Sequence, residues 1–172
     1  HVAFVRKSGT STLYINGVAL SSTATAYTFS DTQFNSGYTP IGQYMTGYVS
    51  DVRYTPGAAL YSSNFYPGST PLTSTTTIGA NTYSSALLLS GTSGGIIDAT
   101  RTVDLETVGD AKVTNFDPYS GNYYSNYFDG TGDNLSVAAN TAFNLTGDFT
   151  VECWVYMNSI YPGSSDDGWG GP

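Results

Sequence analysis

The chain has 172 residues, of which only 10% are charged and 15% are aromatic, and this aromatic content argues against a disordered chain. Its net charge of −8 argues against binding to a phosphate backbone and favours divalent cations or basic protein surfaces as partners. The single cysteine excludes an internal disulfide and a cysteine-based zinc site, and no apolar run is long enough to predict a membrane span.

The first part of the chain consists of short apolar runs separated by turn residues, a pattern that predicts strands. A strand is predicted over residues 2–5, and Asn16-Gly17 lies between two further apolar runs. Asn-Gly in that position is a strong hairpin signal because both turn residues need a positive φ. More strands are predicted over residues 27–29, 40–43 and 47–54. In the last of these, alternation predicts that Tyr48, Ser50, Val52 and Tyr54 share one face.

The stretch from Tyr54 to Ile97 contains no charged residue. A free linker is normally kept soluble by charge, so we expect this stretch to lie against another surface. Residues 58–61 are predicted as a single helical turn. Residues 66–85, rich in Pro, Gly, Ser and Thr, are predicted as a connector.

The second part of the chain again predicts strands, over residues 86–89, 96–98, 103–108, 111–113, 123–128, 134–137 and 149–157. The last is the clearest, because apolar residues alternate with Thr150, Glu152, Trp154 and Tyr156, so that both faces carry bulk. No segment shows helical periodicity. The sequence therefore predicts an all-β protein, a sandwich or jelly roll.

The catalytic patterns that we considered are missing from the sequence. Glycoside hydrolysis needs two carboxylates across a sugar, but the positions that share a strand face with Glu152 hold Thr150, Trp154 and Tyr156. Asp166 and Asp167 are adjacent in a Gly-rich loop. A catalytic triad needs a base, and the one histidine is His1. Cys153 alternates with apolar residues and is predicted to be a buried, inert thiol. We therefore expect no enzymatic activity.

Two kinds of binding site are suggested by the residues. Asp129, Asp133 and Asn134 lie in a tight Gly-containing loop and offer the hard oxygens that calcium prefers, although Asp-Gly is also ordinary turn chemistry. No other cofactor is expected. Tyr123, Tyr124 and Tyr127, together with Trp169, are candidates for stacking against a sugar, although clustered tyrosines more often belong to a core or a protein interface. A second tyrosine group contains Tyr44, Tyr48 and Tyr54.

Two stretches of the chain resemble the laminin-G-like modules of the concanavalin-A-like lectin and glucanase superfamily. Residues 1–6 (His-Val-Ala-Phe-Val-Arg), residues 12–18 and residues 47–53 (Gly-Tyr-Val-Ser-Asp-Val-Arg) are similar to the late strands of such a module. Residues 127–135 and 147–155 are similar to its opening strands. The resemblance implies a jelly-roll sandwich, and several superfamily members hold calcium near their loops.

The order of these stretches is reversed, because family-late elements precede family-early ones and the family's middle strands are missing. Residues 1–65 would be the C-terminal half of one module, residues 66–85 a connector, and residues 86–172 the N-terminal half of the next. Alternatively, residues 1–172 form one circularly permuted sandwich, or the chain is a fragment of a longer one.

The succession of segments around the connector is similar to the junction between tandem modules in large virion proteins of marine tailed phages. The resemblance implies a non-enzymatic structural or recognition module, located in a virion. Its partners would be other virion proteins, copies of itself in an oligomer, or host-surface glycans. The alternative is a carbohydrate-binding adhesin module at a bacterial surface or in a secreted protein.

Overall fold

The computed structural model describes residues 1–24, 38–119, 121–138 and 140–159. Within these ranges the protein is all-β, which confirms the predicted class, and the only helical element there is a 3-10 turn at Thr141–Phe143. None of the described segments is a helix able to cross a membrane. The strands are β1 Val2–Lys7, β2 Thr10–Ile15, β3 Val18–Ala24, β4 Tyr38–Ile41, β5 Thr46–Pro56, β6 Thr75–Ile78, β7 Asn81–Ser84, β8 Leu87–Thr92, β9 Gly95–Asp98, β10 Leu105–Val108, β11 Lys112–Thr114, β12 Ser125–Asp129, β13 Asn134–Ala138 and β14 Phe149–Ser159. The strand predicted at residues 27–29 lies outside the described residues.

Two antiparallel sheets form the body of the protein. The larger one, the main sheet, has the strand order β11-β12-β5-β14-β1-β2-β3, with β8 also paired to β5 and β9 paired to β8. The smaller sheet has the order β10-β13-β4, and β6 and β7 form a separate hairpin. Strand β14 pairs with β1 on one side and β5 on the other, so the last described strand joins the first part of the chain in one sheet. Jelly-roll connectivity and the module boundaries stay predictions.

The hydrophobic core lies between the main sheet and the smaller sheet. Phe128, Leu87 and Leu89 of the main sheet are at most 1% exposed, as are Leu135 and Val137 of β13. Each fully buried large apolar side chain stabilises the fold by about 1.5–3 kcal/mol. We call this side of the main sheet the core face and the opposite side the outer face.

A β-bulge in β5 changes which of its residues reach the core. Asp51 has a φ of 50°, and the register between β5 and β14 shifts between Glu152 and Trp154. The extra residue reverses the alternation, so Val52 joins Val49 in the core. The prediction that Tyr48, Ser50, Val52 and Tyr54 share one face is therefore wrong: Tyr48 and Ser50 lie on the outer face, and Val52 and Tyr54 on the core face.

Part of the outer face is covered by residues 57–74, which we call the covering segment. Ala59, Tyr61 and Phe65 of this segment pack on Ala3, Val5 and Tyr14 of β1 and β2. This confirms, for these residues, that the charge-free stretch lies against the protein.

Two local predictions in this region are wrong. Residues 58–61 are not a helical turn, because the Thr150 hydroxyl donates to Ala58 O and accepts from Leu60 N, which holds the backbone open. Residues 75–84, predicted as connector, form the β6–β7 hairpin, whose β-branched threonines flank a turn at Gly79 with a φ of 60°.

Candidate functional site

A buried polar network lies between the main sheet and the covering segment, centred on Glu152. This residue is 1% exposed. Its Oε1 accepts from Arg53 Nε at 2.9 Å and Nη2 at 2.5 Å, and its Oε2 accepts from the Tyr61 hydroxyl at 2.7 Å and lies 3.1 Å from His1 Nε2. Arg53 also donates from Nη1 to Thr73 O and to Thr76 Oγ1. The charge pair thus connects β5 and β14 to the covering segment and to the hairpin above it.

A second buried carboxylate, Asp51, lies at the bulge. Its Oδ2 accepts from the Tyr119 hydroxyl at 2.6 Å and from Leu72 N at 2.8 Å. Burial raises the pKa of Asp51, which these hydrogen bonds offset only in part. Burial also raises the pKa of Tyr119, further increased by the bond to Asp51, so this phenol stays protonated and acts as a donor.

Asp51 and Glu152 are brought to neighbouring strands by the fold, but both are enclosed. Glu152 pairs in register with Arg53, two positions from Asp51. Alternation along single strands does not reveal such a cross-strand pair. Each carboxylate is bound by residues that cover it, and neither lines the cleft described next. A sugar would have to displace the covering segment to reach them.

The part of the outer face that stays open carries four aromatic side chains, Tyr48, Phe116, Tyr127 and Tyr156, which we call the aromatic platform. The Tyr48 ring lies 4.4 Å from Phe116, 5.1 Å from Tyr127 and 6.2 Å from Tyr156, measured between ring centroids. Phe116 and Tyr156 are 43% and 57% exposed. Large aromatic surface left open to water in this way is characteristic of a contact site.

Beside the platform is a cleft of about 390 Å³, with Trp154 in its lining. The Trp154 indole is held edge-on between His1, at 5.1 Å, and Tyr119, at 5.7 Å. The polar residues that line the cleft are Asn16, Ser50, Asp117, Ser125 and His1. Asp117 is fixed by a hydrogen bond from Tyr119 N to its Oδ1 at 2.7 Å, and Ser50 by its donation to Tyr124 O at 2.9 Å.

The predicted sugar-contact residues are only partly brought together. Tyr127 lies in the platform, with Lys112 Nζ 5.4 Å from the centre of its ring. Tyr123 packs edge-on against Tyr119 outside the platform, and Tyr124 contributes its carbonyl to Ser50 rather than its ring. Trp169 lies outside the described residues.

The second tyrosine group is divided between the two faces of the sheet. Tyr48 is at the centre of the platform, whereas Tyr54 is in the core, where burial raises its pKa to about 12. Phe116 and Tyr156 were not predicted as site residues. The signal for Tyr156 was its position on the same face of β14 as Trp154, while no sequence pattern places Phe116, which is in a loop.

In the loop predicted to bind calcium, the Asp133 side chain holds two backbone amides. This residue is 1% exposed, and its carboxylate accepts from Asp110 N at 2.8 Å and Asp129 N at 3.0 Å. Burial acts to raise the pKa of Asp133, but these hydrogen bonds outweigh it and lower the pKa. Hydrogen bonding to Asp133 and its charge raise the pKa of the exposed Asp110.

The structure adds Asp110 to the predicted group, because oxygens of Asp110, Asp129 and Asp133 lie within 4.8 Å of one another. Asn134 is 8% exposed, and its Oδ1 accepts no hydrogen bond from the described part of the chain. The Asp133 carboxylate already has backbone donors, so the loop geometry is explained without an ion. Calcium binding at Asp129, Asp133 and Asn134 stays a prediction. Asp166 and Asp167 lie beyond the described residues.

The single thiol, Cys153, is half-buried on the core side of β14. Burial raises its pKa to about 11. The thiolate is the reactive form of cysteine, so the raised pKa disfavours reaction of this thiol near neutral pH.

Comparisons with protein families, with curated proteins and with solved structures found no match for this chain. The candidate site therefore has to be interpreted from its own geometry.

Proposed function

We propose that this protein is a non-enzymatic recognition module that binds a glycan on the aromatic platform and in the cleft beside it. The observation that carries the proposal is the open group of Tyr48, Phe116, Tyr127 and Tyr156 on the outer face of the main sheet. Its rings pack against one another, and those of Tyr48, Phe116 and Tyr156 also line the cleft. They therefore offer a surface on which a ligand can lie.

The chemistry of a pyranose ring fits this surface. Its C–H face packs on aromatic rings, while its hydroxyls need donors and acceptors at the edge of the contact. Asn16 and Asp117 supply such groups around the cleft, and the nearly buried hydroxyls of Ser50 and Ser125, which donate to backbone carbonyls, lie deeper in its lining. Because the charged side chain among them is a carboxylate, a neutral sugar is favoured over an acidic one.

The absence of catalysis in this proposal rests on the enclosed carboxylates. Hydrolysis of a glycosidic bond needs an acid and a second carboxylate flanking the bond. Asp51 and Glu152 are covered and hydrogen-bonded, and Asp117 is the acid that lines the cleft. The expected outcome of contact is therefore binding without turnover. The proposal applies equally to a virion protein and to a surface adhesin, the two settings that the resemblance implies.

A glycan array followed by titration calorimetry tests the proposal, with Tyr156→Ala as the site variant. Tyr156 is 57% exposed, so its removal should leave the fold unchanged. We expect the dissociation constant to rise at least tenfold, about 1.4 kcal/mol. Tyr44→Ala is the matched control, because Tyr44 is 69% exposed and does not belong to the platform.

Two results would contradict the proposal. One is an array on which the wild-type protein binds no glycan. The other is a glycan that binds the wild type and Tyr156→Ala equally well, which would place the site elsewhere.

A further inference from the structure

The outer strand at one end of the main sheet, β3, is only partly protected by the residues that the structure describes. Natural edge strands are protected by charged side chains, by proline or by a covering loop. The β3 sequence, Val-Ala-Leu-Ser-Ser-Thr-Ala, has no charged residue and no proline. Val18 and Leu20 are 52% and 63% exposed. The strand therefore combines two exposed apolar side chains with an edge that has no charged or proline residue to protect it.

The first residues of this edge are covered, and the later ones are not. Asn64 Oδ1 accepts from Ala19 N at 3.0 Å, and Phe65 N donates to Gly17 O at 2.9 Å. The register shift between β2 and β3 leaves Leu20 without an opposite residue. Beyond it, in the described part of the chain, no strand pairs with the outer edge of residues 20–24.

The charge distribution favours a second copy of this chain as the partner. The whole chain carries a net charge of −8, but residues 1–24 include no aspartate or glutamate. Of the two basic residues there, Arg6 is 8% exposed, and Lys7 lies next to Ser8, whose amide binds the Asp148 carboxylate at 2.7 Å. Two copies of an acidic chain repel each other least where they meet through this end, which has no acidic side chain.

We propose that β3 pairs antiparallel with β3 of a second copy around a two-fold axis, which joins two main sheets into one. An edge strand is complementary to its own copy in this arrangement, since each offers the backbone donors and acceptors that the other needs. The exposed side chain of Leu20 gains neighbours on the partner strand in the same step. The aromatic platform is separated from β3 by β1 and β2, so it stays open in the dimer.

The experiment is a measurement of mass in solution, by light scattering and sedimentation, over about a hundredfold range of protein concentration. We expect the wild type to shift from monomer to dimer. Leu20→Lys and Ser22→Lys each place two like charges close to the axis, and both positions are exposed, so folding should be retained. Each should weaken dimerisation at least tenfold, or about 1.4 kcal/mol.

The matched control is Ile97→Lys, on β9, where the residue is 46% exposed. It makes the same change in net charge, from −8 to −7, so its dimer should match that of the wild type. A wild type that stays monomeric throughout the range would overturn the proposal. So would a dimer that Leu20→Lys and Ser22→Lys leave intact, or that Ile97→Lys weakens equally.

Discussion

Replacement of Glu152 by glutamine should destabilise the protein strongly, although the two side chains have nearly the same shape. The Glu152 side chain has 0% exposure and that of Arg53 has 5%. The substitution leaves the Arg53 guanidinium buried without a counter-ion, which typically costs about 3–5 kcal/mol. The free energy of unfolding of a domain of this size is about 5–15 kcal/mol, so the Glu152→Gln substitution removes a large fraction of it.

The hydrogen bonds around Glu152 indicate why glutamine cannot take over its role. Both carboxylate oxygens accept, one from Arg53 and the other from Tyr61, with His1 Nε2 also within 3.1 Å. Glutamine can keep its amide oxygen toward Arg53 and turn its NH2 group toward the Tyr61 hydroxyl, which can also accept, but it carries no negative charge. The loss should therefore come mainly from the missing charge beside the buried Arg53 guanidinium.

A double variant separates loss of the charge pair from loss of shape. Arg53→Met with Glu152→Leu removes both charges and fills similar volume, and such replacements are often neutral or stabilising. We expect the double variant to be more stable than either Glu152→Gln or Arg53→Met alone. Urea unfolding followed by tryptophan fluorescence measures all four proteins. The reasoning would be refuted if both single variants lost less than about 1 kcal/mol, or if the double variant were less stable than either of them.

Two further predictions concern local features of the fold. Burial acts to raise the pKa of Asp98, but hydrogen bonds from the Thr100 hydroxyl and nearby backbone amides outweigh it and lower the pKa. The ionised Asp98 carboxylate therefore stabilises the fold above about pH 4, and this stabilisation is lost as the pH falls through the folded-state pKa. Asp98→Asn should therefore be less stable than the wild type by about 1–2 kcal/mol at pH 7, and the difference should shrink in acid. Thermal unfolding measures both proteins at pH 7 and at acidic pH, and an equal difference under the two conditions would contradict this prediction. Gly17→Ala should destabilise by more than Gly9→Ala, because both glycines have a φ near 80° but a Cβ at Gly17 would lie 1.8 Å from Phe65 O, whereas one at Gly9 would meet no atom within 4 Å. Equal unfolding midpoints for the two variants would show that this close contact does not matter.

Local sequence signals were sufficient for the strands whose pattern is independent of their neighbours. Asn16 and Gly17 adopt φ values of 48° and 78°, as the predicted hairpin requires. Strand β14 was predicted because both of its faces carry bulk, and the structure gives it partners on both edges and layers on both faces. In each case the residues themselves determine the conformation, so a single sequence was enough.

The candidate site could not be predicted, because it depends on a bulge and on contacts between distant segments. An aspartate with positive φ inside a strand has no distinctive sequence pattern, yet Asp51 decides that Tyr48 lies on the outer face and Val52 in the core. The platform then needs rings from β5, β12, β14 and a loop. Patterns along single strands pointed to some of the platform residues, but they could not predict that these rings lie together.

The same network that closes one half of the outer face also shapes the half that stays open. The covering segment can lie over β1 and β14 without charged residues of its own, because it donates hydrogen bonds to both buried carboxylates. Tyr61 donates to Glu152 and Leu72 donates to Asp51. Tyr119, bound to Asp51, packs against Trp154 in the lining of the cleft. Side chains held in this way lose little conformational freedom when a ligand binds, which favours affinity. In the proposed site the buried carboxylates would contribute to glycan binding without contacting the sugar, by fixing the surface beside them.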